Sequence, residues 1–346
     1  MQAGSVPSYD HLIDLAPLLV QVELTEDCNL RCRFCYNSQR PRYCTNAIPI
    51  LESLARQQVM QVTLTGGEPL LHPGFFDVLR CAVELFPNVM ILSNGTLMND
   101  VAVKRLHEFP IVSVSVSVHG IRKTHDALTG VEGSFDRTIR AIREFLERDK
   151  IPIASNFVLN AANAHELGEV VEFFQRIGLR YMTITRFLPV GVGANSKHLC
   201  PTGEQLVEAF HIVDLIRREE TYPHIEIAEA IPFCALPPEL QYLANTCSYG
   251  YDRFYVDVTG ELMVCGLSRI KLGGNILTKS ISEIKCCSPV FAAFVRNEHV
   301  PARCKTCKLF PHCHGGCRAA AKSTTGEWCG TRDYHMAGGV SRQNLG

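Results

Sequence analysis

The sequence predicts an α/β protein in which six strand-helix units form an open, parallel-stranded barrel, followed by a small cysteine-rich unit. Three observations predict it. From 18 to about 188, short apolar segments alternate with helical patterns, the mark of repeated β/α units. Within the strands the apolar residues recur at every second position and leave one face polar, whereas a parallel strand covered by helices on both faces would be apolar throughout. The sixteen cysteines gather toward the two ends of the chain. The C-terminal end, poor in periodic apolar residues, would need metal sites to hold it together.

The strands are expected at 19–25, 60–65, 89–93, 111–118, 151–158 and 181–187. In the first, Val20, Val22 and Leu24 oppose Gln21, Glu23 and Thr25. In the fourth, Val112, Val114, Val116 and Val118 oppose three serines. One face therefore looks into a polar lumen. Six units are too few for a closed barrel of eight, which takes about 250 residues. Between the strands, Phe135, Ile139, Ile142 and Phe145 form one helical stripe, and Leu167, Val170, Val171, Phe174 and Ile177 form another. A loop at 189–193, a helix at 204–217 and a proline-rich connection then lead to the cysteine-rich end. The boundaries are an N-terminal extension at 1–17, a barrel core at 18–195, a bridge at 196–245 and a C-terminal unit at 246–346.

With 46% hydrophobic and 20% charged residues the chain is no disordered polymer, and a net charge of −1 gives no footprint for nucleic acid or an anionic membrane. No apolar run approaches the ~20 residues that span a bilayer, and no signal peptide opens the chain. A cytoplasmic location is expected. In a reducing compartment, clustered cysteines are metal ligands or catalytic groups before they are disulfides.

Cys28, Cys32 and Cys35 follow directly on the first strand. Three thiolates on one loop can share an iron-sulfur cube and leave the fourth iron open for chemistry. A zinc knuckle completed by Cys44 or a histidine is the other reading. What favours the cube is Gly66-Gly67-Glu68-Pro69 at the end of the second strand, on the same rim. Two glycines allow close backbone approach, and a carboxylate beside them suits an ammonium group.

This pairing resembles the radical S-adenosylmethionine (radical SAM) enzymes, whose marks are a CxxxCxxC loop after strand one and a GGEP-like segment after strand two. The resemblance implies a partial (β/α)6 TIM-like barrel. It also implies a [4Fe–4S] cluster on Cys28, Cys32 and Cys35 that binds S-adenosylmethionine, with Gly66, Gly67, Glu68 and Pro69 at the methionine ammonium and Phe34 near adenine. Asn94 in the segment after strand three and Ser117 after strand four become cofactor contacts. Relatives carry Asp where His119 stands and arginine where Thr129 stands; Arg186, ending strand six, could replace that arginine.

The array Cys247, Cys265, Cys304, Cys307, Cys313, Cys317 and Cys329 resembles the SPASM extension of the same family, which holds two auxiliary [4Fe–4S] clusters. Carried over, Cys247, Cys265 and Cys317 hold one cluster, with Cys234 as candidate fourth ligand. Cys304, Cys307, Cys313 and Cys329 hold the other. A zinc ribbon on the four cysteines from 304 to 317 would leave the rest without roles. Cys44, Cys81, Cys200, Cys286 and Cys287 are read as packing residues.

The implied activity is reductive cleavage of S-adenosylmethionine to a 5′-deoxyadenosyl radical, which abstracts hydrogen from an unactivated C–H bond, with a flavodoxin- or ferredoxin-type protein as electron donor. Glu23 is a candidate proton acceptor, or else a structural hydrogen-bonding group. With only 27 residues before Cys28, too few for a leader-binding domain, the sequence favours a small molecule (sugar, nucleoside or tetrapyrrole) over the alternative, a ribosomally made peptide or protein. A non-catalytic iron-sulfur or zinc protein would leave the GGEP segment unexplained.

Overall fold

The computed structural model describes residues 13–329; residues 1–12 of the expected extension and 330–346 of the C-terminal unit lie outside it. Six parallel strands run in chain order: β1 (Leu19–Glu23), β2 (Gln61–Thr65), β3 (Asn88–Ser93), β4 (Ser113–Ser117), β5 (Ile153–Leu159) and β6 (Tyr181–Arg186). Each lies within a few residues of its expected position, the usual uncertainty of an element end. The intervening helices are α1 (Ala47–Arg56), α2 (Phe75–Leu85), α3 (Asp100–Leu106), α4 (Arg122–Thr129), α5 (Ser134–Arg148) and α6 (Leu167–Ile177). The two stripes read from the sequence are the buried faces of α5 and α6 apart from Ile177, which packs half-buried against the same core. Each fully buried apolar side chain contributes roughly 1.5–3 kcal/mol.

Register carries the polar face across the sheet. Gln21 pairs with Thr63, Glu23 with Thr65, and Ser117 with Asn156, which in turn pairs with Thr183. These residues form the lumen side. Val20, Val22, Val62, Leu64, Val114 and Val116 face the helices and are wholly buried.

The sheet is larger than six strands. Its order is β10-β9-β8-β1-β2-β3-β4-β5-β6-β7. Helix α7 (Gly203–Arg218), which carries a complete capping box at Thr202 and Gln205, leads into β7 (His224–Ile227), parallel to β6. Beyond the bridge, β8 (Arg253–Val256) pairs in parallel with β1, and β9 (Glu261–Met263) and β10 (Lys271–Asn275) continue antiparallel. The Asp257-Gly260 hairpin shape is present: the Asp257 carboxylate accepts from Thr259 and Glu261 backbone N–H groups, and Gly260 turns with φ +88°. The C-terminal unit was expected to lack a core of its own. It solves that by sharing one, because Phe254, Val256, Leu262, Ile270, Leu272, Ile276, Ile284 and Phe291 join the same buried cluster as the barrel. Among the described residues no helix is long and apolar enough to cross a membrane.

Candidate active site

Strand β1 delivers the three-cysteine loop to the rim, and the end of α4 clamps it there. Arg31 N–H donates to the Thr129 carbonyl at 2.8 Å and Arg33 N–H to the Leu128 carbonyl at 3.0 Å. Gly130, with φ +70°, lies so close that a Cβ on it would meet the Arg31 carbonyl at 2.9 Å. Thr129 is wholly buried, its hydroxyl between the His125 carbonyl and Ser134. Where relatives carry an arginine, this chain therefore has a packed brace for the loop.

Burial pushes the Cys28 thiol up to about 11, with Glu68 and Cys35 raising it further and the Leu30 N–H opposing. Cys32 is raised well above its ordinary value by burial and then by Cys35 and Cys28. Cys35 is raised chiefly by burial, against the Asn37 N–H. The three thiols are thus near enough to act on one another. Among the described residues no three His, Cys, Asp or Glu side chains converge on a single metal ion. The donor set fits a larger iron-sulfur group: all three ligands are sulfur, and Leu30 N–H donates to Cys28 Sγ and Asn37 N–H to Cys35 Sγ, each at 3.4 Å. Such N–H···S bonds steady cluster thiolates.

The GGEP segment packs directly on the root of this loop. Gly67 N–H donates to the Thr25 carbonyl and Glu68 N–H to the Asp27 carbonyl. A Cβ on Gly67 would stand 2.0 Å from the Asp27 carbonyl oxygen, so only glycine fits. Glu68 is 0% exposed, and burial pushes its carboxyl up to about 7. Its oxygens accept from Ser93 Oγ, Asn94 N–H and Leu70 N–H. Asn94 continues the chain of bonds to Asn29 Oδ1 at 2.9 Å and toward Cys28 Sγ at 3.7 Å. Glu68 and Asn94, both expected at the cofactor, hold the cysteine loop against the ends of β2 and β3. Pro69 is buried and opens the short turn that follows.

Phe34, nearly buried, meets the His119 ring edge-on at 4.5 Å between centroids. His119 Nδ1 accepts from the Val158 N–H at 3.1 Å, which leaves its proton on Nε2. The His119 N–H in turn donates to His125 Nδ1. Ser117 is half-buried at the end of β4, on the lumen row. Burial holds His125 down to about 4 and His119 well below its ordinary value, so both are neutral at pH 7. The unfolded chain takes up these protons near pH 6.5 while the folded chain does not, so stability falls as pH drops from about 6.5 toward 4. For His125 alone the loss approaches ~3 kcal/mol at the bottom of that window. Melting followed across that range should show His125→Asn, which keeps an acceptor near Nδ1, with a shallower acid decline than the parent.

Two residues expected at the cofactor or in catalysis are engaged in ion pairs. Glu23, 0% exposed, accepts from both terminal nitrogens of Arg269 at 2.9 and 2.7 Å and from Asn37 Nδ2 at 2.8 Å. Arg269 lies over the Tyr255 ring. Arg186 alternates with Thr183 and Thr185 and so leaves the lumen row; its guanidinium donates to the buried Glu229 carboxylate at 2.6 and 3.2 Å. Neither Arg269 nor Glu229 was singled out from the sequence, since each lies far along the chain from its partner and in no motif.

The C-terminal cysteines form two groups. Cys247 and Cys265 act on each other, and Cys317 packs near Leu267, two residues past Cys265. Cys304, Cys307 and Cys313 form the second group, on α8 (Ala302–Lys305), just past it and on α9 (Phe310–Cys313). Cys234 stands with the second group, which corrects the expected placement beside Cys247 and Cys265: Phe233 N–H donates to Cys313 Sγ at 3.4 Å. Cys329 stands apart from that group, its thiol donating to the Glu298 carbonyl at 3.0 Å. Of the expected packing cysteines, Cys44 is buried in the core, Cys81 and Cys200 are partly buried, and Cys286 and Cys287 are exposed.

Fold and site together define an α/β barrel enzyme built around a three-thiol rim loop. Residues 22–184 match the Radical SAM superfamily. This chain is a radical SAM enzyme, and that membership implies S-adenosylmethionine and a [4Fe–4S] cluster as its cofactors. It is 31% identical over 288 residues to the sporulation killing factor maturation protein SkfB of Bacillus subtilis, covering 82% of this chain and 66% of that protein. It is 26% identical over 349 residues to the AdoMet-dependent heme synthase of Methanosarcina barkeri, covering 92% and 96%. The crystal structure of Streptococcus suis SuiB bound to precursor peptide SuiA shares the fold, with a TM-score of 0.76 at 20% identity over 92% of this chain and 75% of that one.

Proposed function

We propose that this chain is a maturase that modifies a ribosomally made peptide by hydrogen abstraction. The observation that carries the reading is the 31% identity to SkfB over 82% of the chain; the likeness to a mycofactocin maturase over 91% of the chain supports it. It replaces the small-molecule substrate favoured by the sequence alone. Cys28, Cys32 and Cys35 hold the catalytic cluster, which when bound supplies the electron that cleaves S-adenosylmethionine and so the hydrogen-abstracting radical. Thr129, Glu68 and Asn94 fix the loop. Phe34 and Ser117 border the cofactor, and the backbone of Gly66, Gly67 and Pro69 lets it approach. The polar lumen orients the substrate and excludes bulk water. The two C-terminal cysteine groups would hold auxiliary clusters, which would supply a path for electrons to or from the substrate, and a flavodoxin- or ferredoxin-type protein would supply the first electron.

A second reading has its own support, since the heme synthase covers 96% of its own length in the match. The two are separated by one anaerobic assay of the reconstituted enzyme with S-adenosylmethionine and dithionite. A precursor peptide encoded beside the gene should lose hydrogen mass in step with 5′-deoxyadenosine formation. Turnover of an iron tetrapyrrole with an unaltered peptide would reverse the choice.

A further inference from the structure

We propose that the exposed face of the three-cysteine loop, together with the segment that crosses it after β6, docks a small acidic electron-donor protein. The proposal rests on the reading of Cys28, Cys32 and Cys35 as the cluster site, and it adds where and against which charges the donor binds.

After β6 the chain turns back onto the loop. Val192 N–H donates to the Asn37 carbonyl at 3.2 Å and Gly193 N–H to the Cys35 carbonyl at 2.8 Å. The packing leaves no slack: a Cβ on Gly191 would stand 2.0 Å from the Tyr36 carbonyl oxygen, and one on Gly193 would stand 2.9 Å from the Phe187 ring. The segment runs on to Lys197 and His198, and His198 Nε2 lies 3.4 Å from a guanidinium nitrogen of Arg33. Two segments 165 residues apart in the chain thus form one surface. Arg31, Arg33, Lys197 and His198 are all exposed on it, and the two arginines flank Cys32. The Arg31 guanidinium is held against the loop by the Cys28 and Leu30 carbonyls.

The chain as a whole is balanced, with 34 basic and 35 acidic residues, but this surface is not. No Asp or Glu occurs between Asp27 and Glu52, or between Glu172 and Glu204, so both contributing segments lack acids. Among the described residues no carboxylate pairs with Arg31, Arg33 or Lys197. Arg42, by contrast, is neutralised by Glu26 at 3.3 Å. Two neighbouring acids are committed elsewhere: Asp27 accepts from the Cys28 N–H and the Tyr43 hydroxyl, and Asp126 from the Gly133 and Phe135 N–H groups. An uncompensated cationic surface attracts a partner of opposite sign and orients it during encounter. The position of the charges decides what that partner carries. They surround the loop that has to be reduced before S-adenosylmethionine is cleaved, whereas a substrate has to reach the lumen. The step is a transfer of one electron: the donor's reduced flavin is oxidised by one electron and the oxidised [4Fe–4S] cluster is reduced by one, with no atom exchanged.

The test is calorimetric binding of an acidic bacterial flavodoxin to the reconstituted full chain, alongside 5′-deoxyadenosine formation driven by reduced flavodoxin or by dithionite. Binding to the parent should weaken about tenfold as salt rises from about 50 to about 200 mM. Lys197→Glu/His198→Glu sets two carboxylates beside Arg33. It should weaken binding at low salt by about tenfold and slow flavodoxin-driven cleavage at limiting donor to match, while dithionite-driven cleavage is kept. Arg148→Glu/Lys150→Glu, at the opposite end of the sheet where β5 begins, should bind flavodoxin as the parent does. Parent binding that is absent or indifferent to salt, no loss in the first double variant, or an equal loss in both would overturn the proposal. Loss of dithionite-driven cleavage in the first would also overturn it, by giving these residues to the site itself. So would a first variant that still binds flavodoxin but no longer binds a precursor peptide, which would assign the surface to an acidic substrate segment. No dithionite-driven cleavage by the parent would instead reject the cluster reading, and this proposal with it.

Discussion

Cys32→Ala is expected to reduce 5′-deoxyadenosine formation to background and to remove about four irons per chain. Cys32 is the middle of three thiols on a loop whose backbone is held on both sides, by Arg31 and Arg33 to the end of α4. Its thiol is raised by burial and by Cys35 and Cys28, so all three respond to one charge at one place. Without a bound group the three stay protonated, and a cationic group among them would let them ionise together. Two remaining thiols leave two irons of a cube without protein ligands, and the loop cannot shift another cysteine into place because its carbonyl and N–H groups are already committed. Cys44→Ala serves as the control. That residue is buried in the core, its N–H bonded to the Leu24 carbonyl, and its loss should leave the iron content unchanged. Persistent S-adenosylmethionine cleavage by Cys32→Ala would reject the site.

How much of this could be read from the sequence follows from the reach of each signal. The lumen face of β1 and β4 was legible because a strand writes its two faces into alternate residues, and the α5 stripe because a helix repeats every 3.6 residues. The cysteine loop was legible because its three ligands lie within eight residues. The GGEP glycines were visible too, although one reason for them shows only in the packing: a Cβ on Gly67 would meet backbone of the loop 40 residues earlier in the chain. The merging of the C-terminal strands with β1 left no local trace. Phe254, Tyr255 and Val256 are too few for a period, and parallel pairing with β1 joins segments some 230 residues apart. Cys234 was noticed as a cysteine but assigned by its nearness in sequence to Cys247, whereas the turn after β7 carries it to Cys313. The same limit hid Arg269 from Glu23 and Glu229 from Arg186. Charges that pair across a fold need no spacing rule, so composition shows that they exist and only packing shows with whom.

Arg269→Met is expected to cost about 3–5 kcal/mol, the usual penalty for leaving one partner of a buried ion pair without its counter-charge. For a chain of this size that lowers the melting temperature by on the order of 10 °C. The penalty comes from Glu23, which is 0% exposed and would lose its charged partner while keeping the Asn37 amide as a donor. Asn37 also gives its backbone N–H to Cys35 Sγ, so disorder at Glu23 passes directly to a ligand of the catalytic site. If the pair is a brace, Glu23→Gln/Arg269→Met should recover much of the lost stability, since a neutral amide no longer needs the guanidinium. It should also recover the iron content and 5′-deoxyadenosine formation of the parent. If Glu23 is instead the proton acceptor for the substrate, the double variant will be stable and will still cleave S-adenosylmethionine, but will release no modified product. The ratio of product to 5′-deoxyadenosine therefore decides between the two roles: an unchanged ratio assigns Glu23 to structure, and a ratio near zero assigns it to proton removal.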